Sequence, residues 1–217
     1  MEILRLVSIN VGKPHTLRLG SRDFRTGIDK QPTDLGVHIG PLGLDGDAVL
    51  DTEHHGGRDQ AVYVYGAEDY RWWSQELGRE IRPGTFGDNL TVAGFPDDLN
   101  AGDRLLIGDV ILEATAPRIP CSTFAAQMQD GNFGLRFRRA ERPGVYFRVL
   151  NEGAVTRGEP VTFIENPDPS VSMRAMFRLW FEAHPAPEAV ARILEAPVAE
   201  RVRERFRRKL EEAAAES

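Results

Sequence analysis

The chain's single cysteine, Cys121, closes the segment Ala116-Pro117-Arg118-Ile119-Pro120-Cys121. Pro117 and Pro120 lock their own φ angles and bias the residues before them toward extended geometry, so the thiol ends a stiff, non-helical approach. Arg118, three residues earlier, favours the thiolate, the form that ligates soft metals or attacks an electrophile. Against this stands the ordinary role of a lone cysteine as a small buried hydrophobe, and its surroundings must decide. A second polar group is Asp51-Thr52-Glu53-His54-His55-Gly56-Gly57-Arg58-Asp59-Gln60. Adjacent glycines permit positive φ, let a ligand approach the backbone and present amide N–H groups to an anion. The histidine pair is a weak zinc signal, because neighbours on an extended segment point to opposite sides and no other Cys/His pair supplies the remaining ligands. Either histidine alone could orient a phosphate or a substrate. In Gly84-Thr85-Phe86-Gly87-Asp88-Asn89-Leu90 an acid and an amide open a strand, a pattern that also suits an Asx-type turn holding its own backbone. In Arg25-Thr26-Gly27-Ile28-Asp29-Lys30-Gln31-Pro32 an arginine and a lysine flank a glycine, which alone reads as an exposed turn.

These groups need a body to position them. From Met1 to about Glu165 the sequence is a series of short β-type runs punctuated by glycine and proline: Leu4 to Val11, Ala61 to Tyr65, Asn89 to Val92, Arg104 to Ile107, Val110 to Ala114, Val145 to Leu150 and Val161 to Ile164. The two runs that flank Gly108-Asp109 predict a hairpin. Ala67 to Glu80 is the helical exception, with Tyr70, Trp73 and Leu77 on one stripe and Glu68 and Asp69 in the first turn, where they offset the helix dipole. Trp72 points off that stripe. The expectation is a mainly β, barrel-like and mostly antiparallel body with one or two packed helices.

After Asn166-Pro167-Asp168-Pro169-Ser170 the texture turns helical. Ser170 is a candidate N-cap for Val171 to Glu182, Pro185 and Pro187 mark the next boundary before Glu188 to Ala196, and Pro197 opens a third segment. There Val198, Val202, Phe206 and Leu210 form one apolar stripe. The surrounding Arg201, Arg203, Arg205, Arg207, Arg208 and Lys209 read as a solvated face paired with Glu204, Glu211 and Glu212, or as a docking face for an acidic partner. Residues 1–166 are thus expected as a β-barrel-like domain and 167–217 as a small three-helix extension. Trp72 and Phe177 are expected to be relatively exposed, for a dimer or a contact between tail and body.

Composition bounds the rest. With 217 residues the chain has interior enough to need neither disulfides nor a structural metal, and a single cysteine forms no internal bridge. It shows no uninterrupted apolar run of bilayer length and no charged N-terminal region followed by an apolar core, so a soluble cytoplasmic protein is expected. A formal charge of −6 argues against an electrostatic nucleic-acid binder. The 21 glycines and 14 prolines fit a body of many turns.

In order, Gly27-Ile28-Asp29-Lys30-Gln31-Pro32, Leu42-Gly43-Leu44-Asp45-Gly46-Asp47, His55-Gly56-Gly57, Phe86-Gly87-Asp88-Asn89-Leu90 and Pro117-Arg118-Ile119-Pro120-Cys121 resemble the MOSC family, named for the C-terminal domain of molybdenum-cofactor sulfurase. The likeness runs through nearly the whole body, and the tail resembles the extension of the bacterial YiiM-type subgroup. Asp88 stands where glutamate is common, and His54 falls where the subgroup varies. The resemblance implies that Cys121 ligates the molybdenum of a molybdopterin cofactor or carries a sulfur, and that His55 and Asn89 border the site. A thiolate suits a metal already held by a pterin dithiolene, and the cofactor's phosphate needs cationic and N–H partners. Lys30, Arg118 and the Gly56-Gly57 backbone are the candidates for that phosphate or for the pterin, and Asp88 is a candidate to position a proton. The implied activity is reduction of N-hydroxylated small molecules, such as hydroxylaminopurine-type bases, to amines. With no Gly-x-Gly-x-x-Gly fingerprint and no cysteine set for an iron–sulfur cluster, a flavoprotein-type electron donor is expected as partner, and the protein itself as a monomer or homodimer. The alternatives are a sulfur carrier using a Cys121 persulfide and a non-enzymatic cofactor carrier. Pyridoxal phosphate, associated with another domain of the parent sulfurase, finds no Schiff-base context at Lys30 or Lys209.

Overall fold

The computed structural model describes residues 4–51, 55–168 and 171–215. His54 and Ser170 lie outside the described residues. The strands are β1 (Leu4–Gly12), β2 (His15–Leu19), β3 (Arg22–Thr26), β4 (Lys30–Thr33), β5 (Val37–Gly40), β6 (Gly43–Leu44), β7 (Val62–Gly66), β8 (Leu90–Ala93), β9 (Arg104–Ile107), β10 (Val110–Pro117), β11 (Val145–Asn151), β12 (Gly153–Val155) and β13 (Pro160–Ile164). The helices are α1 (Ala67–Leu77), α2 (Ser122–Met128), α3 (Phe133–Ala140), α4 (Met173–Trp180), α5 (Pro187–Glu195) and α6 (Glu200–Ala215).

Seven strands close in the order β13-β9-β10-β11-β7-β8-β1, with β1 returning to β13 through Leu4 opposite Val161. Closure leaves no open edge in the ring. Strand β4 adds to β1 outside the ring, β2–β3 form a separate ribbon, and β5, β6 and β12 form a small sheet. The hairpin at Gly108-Asp109 forms with Ile107 opposite Val110. Pairing within the ring is antiparallel except between β7 and β8, whose parallel run requires the crossover that α1 supplies.

Helix α1 stops at Gly78 in the left-handed conformation, short of Glu80. Its Trp73 donates from Nε1 to the Tyr65 hydroxyl at 2.8 Å and packs on Phe133 and Phe137. Phe86 and Phe124 complete this aromatic centre, which packs α2 and α3 beside α1, so the body carries three α-helices where one or two were expected. The apolar core continues without a break into the tail through Met173, Met176, Val190, Ile193, Val202 and Phe206.

Three expectations about exposed side chains are corrected. Phe177 is 1% exposed, so its expected exposure is corrected, while its edge-on packing against Phe137 of α3 is a contact between tail and body, with Phe181 beside it. Trp72 is half-buried beneath the Arg142 guanidinium at 4.8 Å. The basic residues of α6 are not a uniform solvated face: Arg203 donates to the carbonyls of Leu194 and Ala196, and Lys209 to that of Glu182, so both close helix ends whose last carbonyls lack partners. Arg207 pairs with Glu200 at 2.9 Å. Helix α4 is capped by Ser172, whose Oγ accepts from the Ala175 amide at 3.1 Å.

Asp88 knits this body together. Fully buried, its carboxylate accepts from Thr91 Oγ1 at 2.6 Å, Asn10 Nδ2 at 3.2 Å, the Gly84 amide at 3.0 Å and the Tyr70 hydroxyl, joining β1, α1 and β8. Replacing it strands several buried donors, each costing about 1–3 kcal/mol. Asp88→Ala should therefore lower unfolding free energy by about 3 kcal/mol or more in urea titrations, with Asp88→Asn falling between it and the parent; an Ala variant within 1 kcal/mol, as an approximate threshold on that scale, would remove this role.

Candidate functional site

One cleft of about 680 Å³, including its open mouth, gathers Lys30, Asp47, His55, Gly56, Asn89, Arg118 and Cys121 with Tyr63 and Tyr146. The Pro-Arg-Ile-Pro-Cys segment runs from the end of β10 to the start of α2, where Cys121 is the N-cap in extended geometry and its carbonyl accepts from Phe124 and Ala125. The half-buried sulfur is thereby held between a strand end and a helix start. On the opposite wall the backbones crowd so closely that a Cβ on Gly27 would lie 2.1 Å from the Ala48 carbonyl oxygen, so only glycine fits.

Arg118 is the least compensated charge in the cleft. It is 4% exposed, its Nη1 reaches the Tyr146 hydroxyl only at 3.4 Å, and its Nε and Nη2 have no hydrogen-bond partner among the described residues. The guanidinium lies over the rings of Phe124 at 4.4 Å and Tyr63 at 5.2 Å, which offset part of the burial cost. Burial opposes its charge, yet the phenol oxygens of Tyr146 and Tyr63 and the Cys121 sulfur together raise its pKa above the ordinary guanidinium value. A buried cation with two idle donors is a site for an anion.

Lys30 is different. Its ammonium is held by both oxygens of Asp47, and the two side chains are 7% and 6% exposed. Asp47 also accepts from the Gly12 amide at 2.7 Å and from Asn89 Nδ2 at 2.9 Å. The Asn89 carbonyl oxygen accepts from the Tyr63 amide at 3.1 Å, which fixes the amide's orientation. Burial holds the Lys30 pKa below its ordinary value, with Asp47 pulling the other way.

The structure thus brings Lys30, His55, Gly56, Asn89, Arg118 and Cys121 to one cleft. Gly57 lines a neighbouring cavity of about 440 Å³ that shares His55, Gly56 and Gln60 and is closed by Ala199 and Arg201. The proton-positioning role expected of Asp88 is corrected: it lines neither cavity, and its oxygens are committed to the body. Burial raises its carboxyl above the usual aspartate range, but behind that shell it reaches no ligand. Sequence reasoning gave no role to Asp47, Tyr63 or Tyr146. Asp47 had a signal, since it ends the Leu42-to-Asp47 segment; the tyrosines lie in β7 and β11 and read only as strand residues.

The glycine loop is anchored by the tail. Asp59 Oδ2 accepts from the Glu200 amide at 3.0 Å, Arg148 meets Asp59 Oδ1 at 3.1 Å, and Arg201 donates to the Gln60 side-chain oxygen. Gln60 faces both cavities, so the start of α6 braces a wall of the cleft.

A seven-stranded barrel whose cleft is lined by a buried arginine and the chain's single thiol defines a recognisable class of fold. Residues 51–162 match the MOSC domain. The chain is 33% identical over 210 residues to YflK of Bacillus subtilis, spanning 96% of this chain and 95% of that protein. It is 25% identical to YiiM of Escherichia coli over 63% of each chain. It is also 30% identical to a protein of Gibberella moniliformis named a reductase, over 77% of this chain but only 30% of that protein. The crystal structure of YiiM from Geobacillus stearothermophilus superposes with a TM-score of 0.79 at 29% identity, covering 95% of this chain and 99% of the other. The chain belongs to the MOSC domain family, of the YiiM type, a family associated in general with molybdenum-cofactor binding. Among the described residues no helix is long and apolar enough to cross a membrane.

If Arg201 braces the loop, Arg201→Ala should speed amide hydrogen exchange at residues 57–60 by about tenfold or more, the worth of one hydrogen bond to a charged group, while β1 exchange stays unchanged. Equal exchange in both proteins would show that the loop stands without the tail.

Proposed function

We propose that the cleft holds a molybdenum-bearing pterin cofactor and that the protein reduces N-hydroxylated small molecules, such as hydroxylaminopurine-type bases, to amines with electrons from a flavoprotein-type donor. The reading is carried by Arg118, a buried guanidinium with two idle donors on the wall that also presents Cys121. The residues suit the group: Cys121 offers the soft sulfur ligand that would hold the metal, and Arg118 the charge and N–H groups for the phosphate or pterin. When bound, the cofactor supplies two-electron redox chemistry. Among the described residues no set of three His, Cys, Asp or Glu side chains could hold a metal, so Cys121 serves best for a metal that arrives with other ligands of its own. Gly56 adds backbone close to the cleft, and Asn89 and His55 border it. Lys30 is already neutralised by Asp47, which leaves the anion chiefly to Arg118.

The test is molybdenum and pterin content after expression in a cofactor-producing host, followed by turnover of an N-hydroxylated purine with reduced dye. Wild type should carry both at about one per chain and turn over, Cys121→Ala should lose molybdenum, and Arg118→Ala should lose at least about tenfold of the bound pterin, the worth of a charge-assisted hydrogen bond. Protein that stays free of both after reconstitution would overturn the reading, and a stable gain of one sulfur on Cys121 without turnover would favour sulfur transfer.

A further inference from the structure

We propose that Lys30 is the proton donor of the reductive step and that Asp47 is the positioning residue that holds its ammonium on the cleft wall. The inference rests on the reductase reading above. Converting R–NH–OH to R–NH2 breaks the N–O bond, takes two electrons from the external flavoprotein-type reductant and consumes two protons, with the oxygen leaving as water. The departing hydroxyl needs one proton at oxygen, and the nitrogen takes the second from solvent.

Besides Lys30, the proton-bearing side chains of the cleft lining include Arg118, Tyr63, Tyr146, His55 and Cys121. Arg118 does not give one up in a protein. The Tyr63 hydroxyl donates to the Pro143 carbonyl at 2.8 Å, and burial pushes its pKa well above the ordinary phenol value. Cys121 is taken as the metal ligand, and Asp88 is sealed behind its own donors. Lys30 carries three N–H bonds, and among the described residues its one hydrogen-bond acceptor is the Asp47 carboxylate, which leaves a donor for a ligand in the cleft. Asp47 cannot swing away, because Gly12 and Asn89 also hold it.

The composition points the same way. Among 27 basic residues the chain has three lysines, Lys13, Lys30 and Lys209. A chain that uses arginine almost everywhere places at this buried pair the one cation that can part with a proton. Facing it are Asp47 from the loop after β6, Asp88 from the turn before β8, Arg118 from the end of β10 and His55 across the cleft. Burial and Arg118 lower its pKa while Asp47 and Asp88 raise it, and the net is downward, the direction that suits a general acid. Donation leaves neutral Lys30 beside the Asp47 carboxylate, and water at the mouth restores the proton.

The deciding variant is Lys30→Arg, which keeps the charge and the donors to Asp47 but cannot release a proton. In cofactor-loaded protein it should retain molybdenum and pterin as wild type does while turnover falls about 10²- to 10⁴-fold, the usual worth of a positioned acid. Independently of loading, 15N NMR of the lysine ammonium groups should show Lys30 titrating below the ordinary lysine value, and lower still in Asp47→Asn. Wild-type kcat should fall as pH rises past that Lys30 midpoint, since the donor must be protonated. Turnover by Lys30→Arg within about threefold of wild type, small against the effect of a positioned acid, or an alkaline limb unrelated to the Lys30 midpoint, overturns the acid role alone. Loaded wild type that reduces no N-hydroxylated substrate overturns the reductase reading itself.

Discussion

The cleft depends on one carboxylate. Asp47 accepts from the end of β1 at Gly12, from Lys30 at the start of β4 and from Asn89 before β8, three segments far apart in the chain. A buried ammonium without this partner would face the full cost of desolvation, and a buried carboxylate without its donors would do the same. The pair therefore exists as a unit, and its neutrality sets the electrostatics of everything opposite. With Lys30 compensated, Arg118 is the cation in the cleft that burial leaves with idle donors. The asymmetry distinguishes the two cations: one keeps idle donors at the cleft, the other is tied to a carboxylate.

Much of the fold was legible because the strands obey local rules. The seven β-type runs all became barrel strands, with bounds shifted by a few residues at most, and the Gly108-Asp109 hairpin formed as its turn chemistry requires. Closure was not written locally. The pairing of β13 with β1 joins the two ends of the body, and only a curled, twisted sheet brings Leu4 to Val161. Helices α2 and α3 escaped notice for a definite reason. They span seven and eight residues, neither has a side-chain N-cap, and both end on a non-glycine residue in left-handed geometry, Gln129 and Glu141 at φ 52°. The usual stop signal at such a position is glycine. What holds them is aromatic packing of Phe124, Phe133 and Phe137 on Phe86 and Trp73, which no local pattern announces.

The site was legible where stiffness is local and illegible where burial decides. Two prolines around Arg118 announce a posed segment, and the structure places its cysteine between strand and helix. An aspartate before an asparagine, in contrast, is equally a proton carrier or a structural acceptor. For Asp88 the answer lies with Tyr70, Thr91 and Asn10, which close over it from α1, β8 and β1. Burial also removed Phe177 from the surface, where its sequence had left it.

The basic tail shows how the same logic reaches function. Arginines and a lysine on a helix pattern read as a solvated face, yet a helix that ends against another leaves carbonyls needing donors, and long cationic side chains supply them while burying their stems. Arg203 and Lys209 do this within the tail, while Arg201 donates across to the Gln60 side-chain oxygen. Together with the Glu200 amide on Asp59 and Arg148 between Asp59 and the Pro197 and Val198 carbonyls, the start of α6 is wired into the loop that follows Gly56-Gly57. That loop needs outside support, because positive-φ glycines at 75° and 77° confer little rigidity of their own. The tail is thus part of the cleft's construction: the Gln60 wall that follows the glycine pair is braced by hydrogen bonds from a helix more than a hundred residues later in the chain.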